Sequence, residues 1–276
     1  LLGHVNNVVY VDYLQEARAD LLRHHGGAEA RLVGSPDEGL FVVRHEVHYV
    51  SPLVFRFRPV LIECWVTEVR AASFTVAYEI YDEDDDGGRT TYARAWTVLT
   101  PYVLTQERPR RLTGAERDAL TASLEPAPST APEWGLSRRG EGEPFRLHVR
   151  FSDVDVYGHV NNVKYFEYLQ ESRIHFMRGL GREAGGPHIV VARTDVQYLA
   201  PIHFREQPYE IWSWVRSVGS TSLTIDSEIC DGDTVLARAR VVVVFFDPET
   251  QRSTEPPEPI RTALRQRLGE VTGPGS

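Results

Sequence analysis

Gly3-His4-Val5-Asn6-Asn7, followed by Tyr10, Tyr13, Gln15-Glu16 and Arg18, returns as Gly158-His159-Val160-Asn161-Asn162, followed by Tyr165, Tyr168, Gln170-Glu171 and Arg173. A constant offset of 155 residues across so many identities marks a duplicated module. The likeness continues downstream. Val47-x-Tyr49-x-x-Pro52 matches Val196-x-Tyr198-x-x-Pro201, and Trp65, Ser73 and Glu79 match Trp214, Ser222 and Glu228, all at an offset of 149. Ala93-Arg94-Ala95 then pairs with Ala237-Arg238-Ala239 at 144, so the first copy carries five extra residues in the Asp82 to Gly88 region. A hairpin loop is the place that absorbs such an insertion.

The 276 residues, 42% of them hydrophobic, suffice for two cores, each of roughly 100 to 130 residues, the common domain size. No apolar run approaches the roughly 18 residues needed to cross a bilayer, and no leader-like segment precedes the first motif. These features lead us to expect a soluble, cytoplasmic protein without membrane association, although the chain starts without Met. The net charge of −9 argues against nucleic acid, which requires a basic surface. Cys64 and Cys230 have Ser213 and Tyr81 as repeat equivalents, so they form neither a duplicated pair nor a metal clip, and both read as buried or incidental thiols. Lys164 is the only lysine among otherwise arginine cations.

Asn6 and Asn161 stand at N-cap positions. Apolar residues follow at helical spacing, Tyr10, Tyr13, Leu14, Ala17 and Leu21 in one copy and Tyr165, Tyr168, Leu169, Ser172 and Phe176 in the other. Gly26-Gly27 and Gly179 to Gly181 should end these helices. The runs 40–49, 60–69, 74–81, 93–99, 190–198, 209–218, 222–229 and 235–246 are rich in Val, Ile, Thr, Tyr and Trp and read as consecutive antiparallel strands. Shorter helices are expected at 113–124 and 259–268, and the final 273–276 should fray. The Pro- and Gly-marked stretch is too poor in apolar residues to pack by itself. The division expected is therefore 1–120 for a first domain, 121–144 for a linker and 145–270 for a second domain. Residues 145–156 form a strand and turn leading into the second motif. The first motif has no counterpart ahead of Leu1, so we expect preceding residues in the natural protein, because a bare sheet edge invites aggregation.

Asp153-Val-Asp155-Val-Tyr157-Gly158-His159-Val160-Asn161-Asn162-Val-Lys164-Tyr165-Phe-Glu-Tyr168 resembles the hotdog-fold thioesterases of the 4-hydroxybenzoyl-CoA and long-chain acyl-CoA type. The stretch from His159 to Tyr165 is also similar to plant acyl-ACP thioesterases, which are tandem hotdogs. The resemblance covers nearly all of both halves. It implies an α+β fold, a tandem double hotdog in which each half wraps an antiparallel sheet around a long central helix. It implies a hydrolase acting on acyl-CoA or acyl-ACP, with Asp155 as nucleophile or general base and the backbone N–H at Asn162 in the oxyanion hole. It also implies that the two halves pair like a dimer, with Asp155 facing the other half's helix. Further association of chains stays open.

The chemistry fits these residue types. A carboxylate either attacks a thioester carbonyl to give an anhydride or takes a proton from water, and the residues leave both routes open. Helix N-terminal N–H groups are donors suited to an oxyanion. His159 can orient the carboxylate, hold water or donate to the thioester. Each role has a purely structural counterpart: Asp155 as a turn cap, Asn161 or Asn162 as a helix cap, His159 as a backbone-bonded residue. His4, Asn6 and Asn7 are the equivalents in the first copy, whose Asp would lie immediately before Leu1. Plant enzymes carry Asn where Tyr157 stands, so their full Asp, Asn and His set does not transfer. Glu16 and Glu171 are candidates to assist, or to pair with Arg18 or Arg173. Tyr10 and Tyr165 are candidates to line an acyl channel, with core packing the preferred role for such aromatic stripes. Arg110-Arg111 and Arg138-Arg139 either meet CoA phosphates or are simply solvated.

Asp82-Glu-Asp84-Asp-Asp86-Gly87 begins like a calcium loop, but Ala93 occupies the twelfth position and a solvated hairpin tip is expected. With no zinc spacing, no nucleophile elbow and no phosphate loop in the sequence, the expected reaction uses no metal or redox cofactor. The first expectation is an acyl-CoA thioesterase of fatty acid metabolism, with acyl-ACP as the alternative carrier; the acidic net charge favours CoA because carrier proteins are themselves acidic. A noncatalytic acyl-thioester-binding protein is the second. A hotdog dehydratase or hydratase is the least favoured.

Overall fold

The computed structural model of the chain describes residues 3–24, 37–127, 129–179, 188–250 and 252–269. They form two compact units, Leu1–Ala131 and Pro132–Ser276. The first contains α1 (Asn7–His24), β1 (Glu38–Tyr49), β2 (Leu61–Val69), β3 (Phe74–Glu83), β4 (Arg89–Val103), the short β5 (Arg108–Pro109) and α2 (Gly114–Ala122). The second contains β6 (Phe145–Leu147), α3 (Lys164–Arg178), β7 (His188–Tyr198), β8 (Tyr209–Val218), β9 (Ser222–Asp231), β10 (Thr234–Asp247), β11 (Arg252–Ser253) and α4 (Glu258–Gly269). Every strand pairing within the units is antiparallel, in the order β2-β3-β4-β1 in one and β7-β10-β9-β8-β6 in the other. Each unit thus sets one long helix beside a twisted antiparallel sheet, as the resemblance implies.

The repeat extends to register. Val47 opposes Ala95 in the first sheet, and their equivalents Val196 and Ala239 oppose each other in the second. The five extra residues lie at the β3–β4 hairpin, where Asp84 Oδ1 accepts from the backbone N–H groups of Asp86 and Gly88. Asp82, the first residue of the calcium-like run, is instead paired with Arg56.

The first asparagine of each motif's pair, Asn6 or Asn161, makes the same pair of local bonds. Asn6 Oδ1 accepts from Val8 N at 3.1 Å and its carbonyl from Val9 N at 3.0 Å. Asn161 Oδ1 accepts from Val163 N at 3.0 Å and its carbonyl from Lys164 N at 2.9 Å. Asn6 therefore caps α1, satisfying an N–H that a helix start leaves without an intrahelical partner, whereas Asn161 closes the turn just ahead of α3, whose own N-cap position is Val163. Asn161→Ala should cost about 1 kcal/mol of stability, readable in denaturant unfolding. α3 stops at Arg178 with Gly179 as its C-cap, so a glycine ends the helix as expected, at φ −63° and without left-handed backbone. The expected helix end at Gly26-Gly27 lies outside the described residues, as do Gly181 and 273–276.

The buried face is largely the expected one in α3, where Tyr165, Tyr168, Leu169 and Ser172 are buried, and is partly displaced in α1, where Tyr10 and Leu14 are buried as expected. Val11, Leu14 and Arg18 of α1 are buried, whereas Tyr13, Ala17 and Leu21 are only half-buried. In α3, Tyr165, Phe166, Tyr168, Leu169, Ser172, Arg173 and Met177 are all buried. α4 completes the second core, with Ile260 and Leu264 against Val215, Leu223, Ile225, Val241, Val243 and Phe245.

The stretch 121–144 is held more firmly than its composition suggests. Glu125 N donates to Val66 O at 2.9 Å, and Ser129 Oγ donates to the buried Glu46 carboxylate at 2.9 Å. Ser137 Oγ donates to Glu228 at 2.6 Å, and Arg139 Nη1 to Gly232 O at 3.1 Å. Polar side chains dock it where an apolar surface would otherwise be needed. The arginine pairs are likewise structural: Arg138 donates to Val215 O, and Arg110 forks onto Glu38 and Glu116.

Glu116 also accepts from Thr113 N at 2.7 Å in a capping box at the start of α2. Burial alone would raise its carboxyl pKa, but bonds from Arg110 and Thr113 outweigh it and leave the pKa below the ordinary value. Stability from this group is therefore present above the ordinary carboxylate range and lost as pH falls through the depressed folded pKa. Glu116→Ala should cost about 2 kcal/mol at neutral pH, through the lost charged bonds to Arg110 and Thr113 N, while Arg110 keeps Glu38 as its partner. The difference between variant and parent should shrink in acid, as measured by urea unfolding at neutral and acidic pH.

Candidate active site

The second copy of the motif forms a tight hairpin ahead of α3. Asp155 N donates to His159 O at 2.8 Å, Gly158 N to Asp155 O at 3.1 Å, and Val154 bridges Val160. Gly158 has φ +79° and its equivalent Gly3 has φ +70°, with open space where a Cβ would stand. Backbone conformation, and not crowding, is what asks for glycine in both copies.

The half-buried Asp155 carboxylate sits at the base of this hairpin. Its Oδ1 accepts from Tyr157 N at 2.9 Å and, more weakly, from His159 N at 3.4 Å. The carboxylate therefore has the turn-capping bonds of the structural alternative, and those bonds also fix its position. His159 is half-buried; its ring lies 4.9 Å from that of His203, edge to face, across a β-bridge between the two residues. His4, in the equivalent place, is exposed, with Nδ1 3.3 Å from Val5 O.

Asn162 and Asn7 are tied through their backbone carbonyls, which accept from Tyr198 and Tyr49 hydroxyls at 3.0 Å. Those tyrosines pack edge-on against Tyr165 and Tyr10, with centroids 4.8 and 5.3 Å apart. Tyr10 and Tyr165 are 3% exposed core residues, and Tyr10 Oη accepts from Leu53 N at 3.0 Å. Burial pushes the Tyr165 phenol up, and the nearby Asp155 charge adds to the effect. Glu171 is exposed and pairs at 3.7 Å with Arg150, not with Arg173, which is buried. Glu16 is exposed, while Arg18 points inward at 7% exposure, so the helix face separates that expected pair.

Asp153 is a residue that the sequence reading passed over. It is 2% exposed, and its Oδ2 accepts from Tyr168 Oη at 2.7 Å and Arg150 N at 2.9 Å, while its carbonyl accepts from Asn161 N. Burial, then the bond to Asp153, pushes the Tyr168 phenol well above its ordinary pKa. The two acids of Asp-x-Asp thus differ sharply: Asp153 locks the hairpin to the helix from inside, and Asp155 faces outward. Their i, i+2 spacing would put both on one face of an extended strand, but Asp153 closes the short 3-10 turn Phe151–Asp153, which breaks that pattern.

Cys64 is half-buried and Cys230 buried, neither is in a disulfide, and burial pushes the Cys230 thiol up to about 11. Among the described residues, no group of three His, Cys, Asp or Glu is placed to hold a metal ion, and no helix is long and apolar enough to cross a membrane.

The thioesterase superfamily model matches residues 2–88, and the thioesterase-like superfamily model matches residues 149–264. A Bacillus subtilis relative, the uncharacterized protein YsmA, is 34% identical over 105 residues, which span 36% of this chain and 69% of that protein. Among solved structures, the acyl-ACP thioesterase from Bacteroides thetaiotaomicron shares the fold at TM-score 0.65 and 18% identity, covering 87% of this chain and 90% of its own. The 12:0-ACP thioesterase from Umbellularia californica does so at TM-score 0.70 and 16% identity, covering 87% of each chain.

Proposed function

Because this chain belongs to the thioesterase superfamily, with a thioesterase module in each half, we propose that it hydrolyses an acyl-CoA to the free carboxylic acid and CoA, with Asp155 as the acting carboxylate. The observation that carries the reading is the hairpin. It holds one oxygen of Asp155 against two backbone N–H groups and keeps the residue half-buried in the hairpin that leads into α3. A positioned carboxylate and the N–H donors of a helix start are the two groups that acyl transfer requires.

Acting as a base, Asp155 takes a proton from water while the resulting hydroxyl attacks the carbonyl carbon. The tetrahedral oxyanion is stabilised by the N–H at Asn162, the C–S bond breaks, and CoA leaves as the thiolate. Acting as a nucleophile, Asp155 displaces CoA to form an anhydride that water then opens. His159 orients the carboxylate or the water, with Asn161 holding the helix start; Asn7, His4 and Asn6 supply the corresponding groups in the first copy. Glu171 and Glu16 line the approach.

The low identity to the two ACP thioesterases bears on fold and not on carrier. The net charge of −9 disfavours docking an acidic carrier protein and supports CoA. Free-thiol release from short, long and aromatic acyl-CoAs, run beside acyl-ACP, tests the proposal. Release from a CoA ester is expected. Turnover of acyl-ACP alone would replace CoA by ACP, and no release from either would favour a noncatalytic acyl-thioester-binding role.

A further inference from the structure

The segment between β7 and β8 runs past the motif in the same register as its equivalent between β1 and β2. Val160 N donates to Ile202 O at 2.8 Å and His159 bridges His203; in the first unit Val5 N donates to Leu53 O at 2.7 Å and His4 bridges Val54. The far end of the segment is shared as well, because Arg205 pairs with Asp231 as its equivalent Arg56 pairs with Asp82. Residues opposite one another across such a bridge have neighbouring side chains. Within this common frame the copies differ in what faces the motif histidine, an imidazole at His203 and an aliphatic side chain at Val54.

A second difference serves the first. Tyr209 is 3% exposed, and its Oη accepts from His203 N at 3.2 Å and donates to His203 O at 3.0 Å. One buried hydroxyl thus holds both backbone polar groups of His203, and the Arg205 guanidinium, 3.7 Å from the Tyr209 ring centroid, covers that ring. Val60 stands at the equivalent place and has no hydroxyl to offer Val54. His203 is itself exposed, so the bridge and the Tyr209 hydroxyl hold it where side-chain burial does not. Its ring meets that of His159 with 4.9 Å between centroids and 76° between planes, the edge-to-face geometry in which aromatic rings attract. His159 N in turn reaches Asp155 Oδ1 at 3.4 Å.

We propose that His203 is a positioning residue of the second-unit site, holding the His159 ring in one orientation next to Asp155 without meeting the reacting atoms. This role rests on the hydrolytic reading of Asp155 and His159 given above. A group already fixed in its working geometry raises the rate because its reorientation is complete before the substrate arrives. The two copies are therefore unequal as sites, since the second imidazole and the hydroxyl that clamps it belong to the second copy and are replaced by Val54 and Val60 in the first.

His203→Val should lower kcat for thiol release about three- to tenfold, the rate equivalent of one lost aromatic contact, with KM little changed. His203→Phe keeps a ring edge against His159 and should recover most of the loss. In a His159→Ala background, His203→Val should have no further effect, because two residues that act as one unit are not additive. Independently of turnover, the His159 ring-proton resonances should move in His203→Val as the neighbouring ring current disappears. Full kcat in His203→Val beside an active parent would overturn the assignment. So would a loss that His203→Phe does not recover, a loss that persists in the His159→Ala background, or unmoved His159 resonances. A parent that releases no thiol would overturn the hydrolytic reading itself, and this role with it.

Discussion

Asp155→Asn is expected to lower kcat for thioester hydrolysis by about a hundred- to ten-thousand-fold, the span that a positioned acid–base group contributes. Asparagine keeps a carbonyl oxygen able to accept from Tyr157 N, so the hairpin should persist and unfolding free energy should change by less than about 1 kcal/mol. The loss should appear in kcat with little change in KM, because a group that acts on the reacting atoms contributes mainly in the transition state. Thiol release by parent and variant, each checked by denaturant unfolding, is the measurement. A variant with full kcat would remove Asp155 from the chemistry and leave it a turn cap. In water enriched in oxygen-18, single turnover separates the two routes: anhydride formation can leave the label in the Asp155 carboxyl, whereas base catalysis puts it only in the product acid.

Asp153→Ala should have the opposite signature. Removing that buried carboxylate strands the Tyr168 hydroxyl and Arg150 N, and deprives the hairpin of its tie to α3. With a doubly bonded buried acceptor lost, and the buried Tyr168 hydroxyl and the partly buried Arg150 N–H left unmet, the expected cost is about 3 kcal/mol. Tyr168→Phe removes one donor and keeps the backbone bond, so it should cost about half as much. Urea unfolding of the three variants, Asp153→Ala, Tyr168→Phe and Asp155→Asn, gives the test. If Asp155→Asn destabilises as much as Asp153→Ala, the division between an inner structural acid and an outer acting one fails.

The sequence made much of this site legible, because its local rules act within a few residues. Asn6 caps α1 as its type and position foretell, and Asn161 makes the same two-residue bond but in the turn ahead of α3, whose N-cap position is Val163. The glycine of each motif meets its left-handed backbone, and the five-residue insertion falls in a hairpin tip. What stayed hidden depends on distant neighbours. Asp153 and Asp155 are both acids ahead of the same helix, and nothing within that short run tells which one meets the Tyr168 hydroxyl. The stretch 121–144 looks too polar to pack, yet its serines and arginines find buried acids and carbonyls on strands far along the chain.

The sequence by itself determined that there are two copies of one module, where their helices start, and which runs become strands, because repeats, caps and periodicity are properties of adjacent residues. Only the tertiary structure decided which faces are sealed. Tyr13 and Tyr168 occupy the same place in nearly the same local sequence, yet one is half-buried and the other is 4% exposed. Strand β6 packs on α3, and burial is a property of what else folds against a residue, which adjacent residues do not encode.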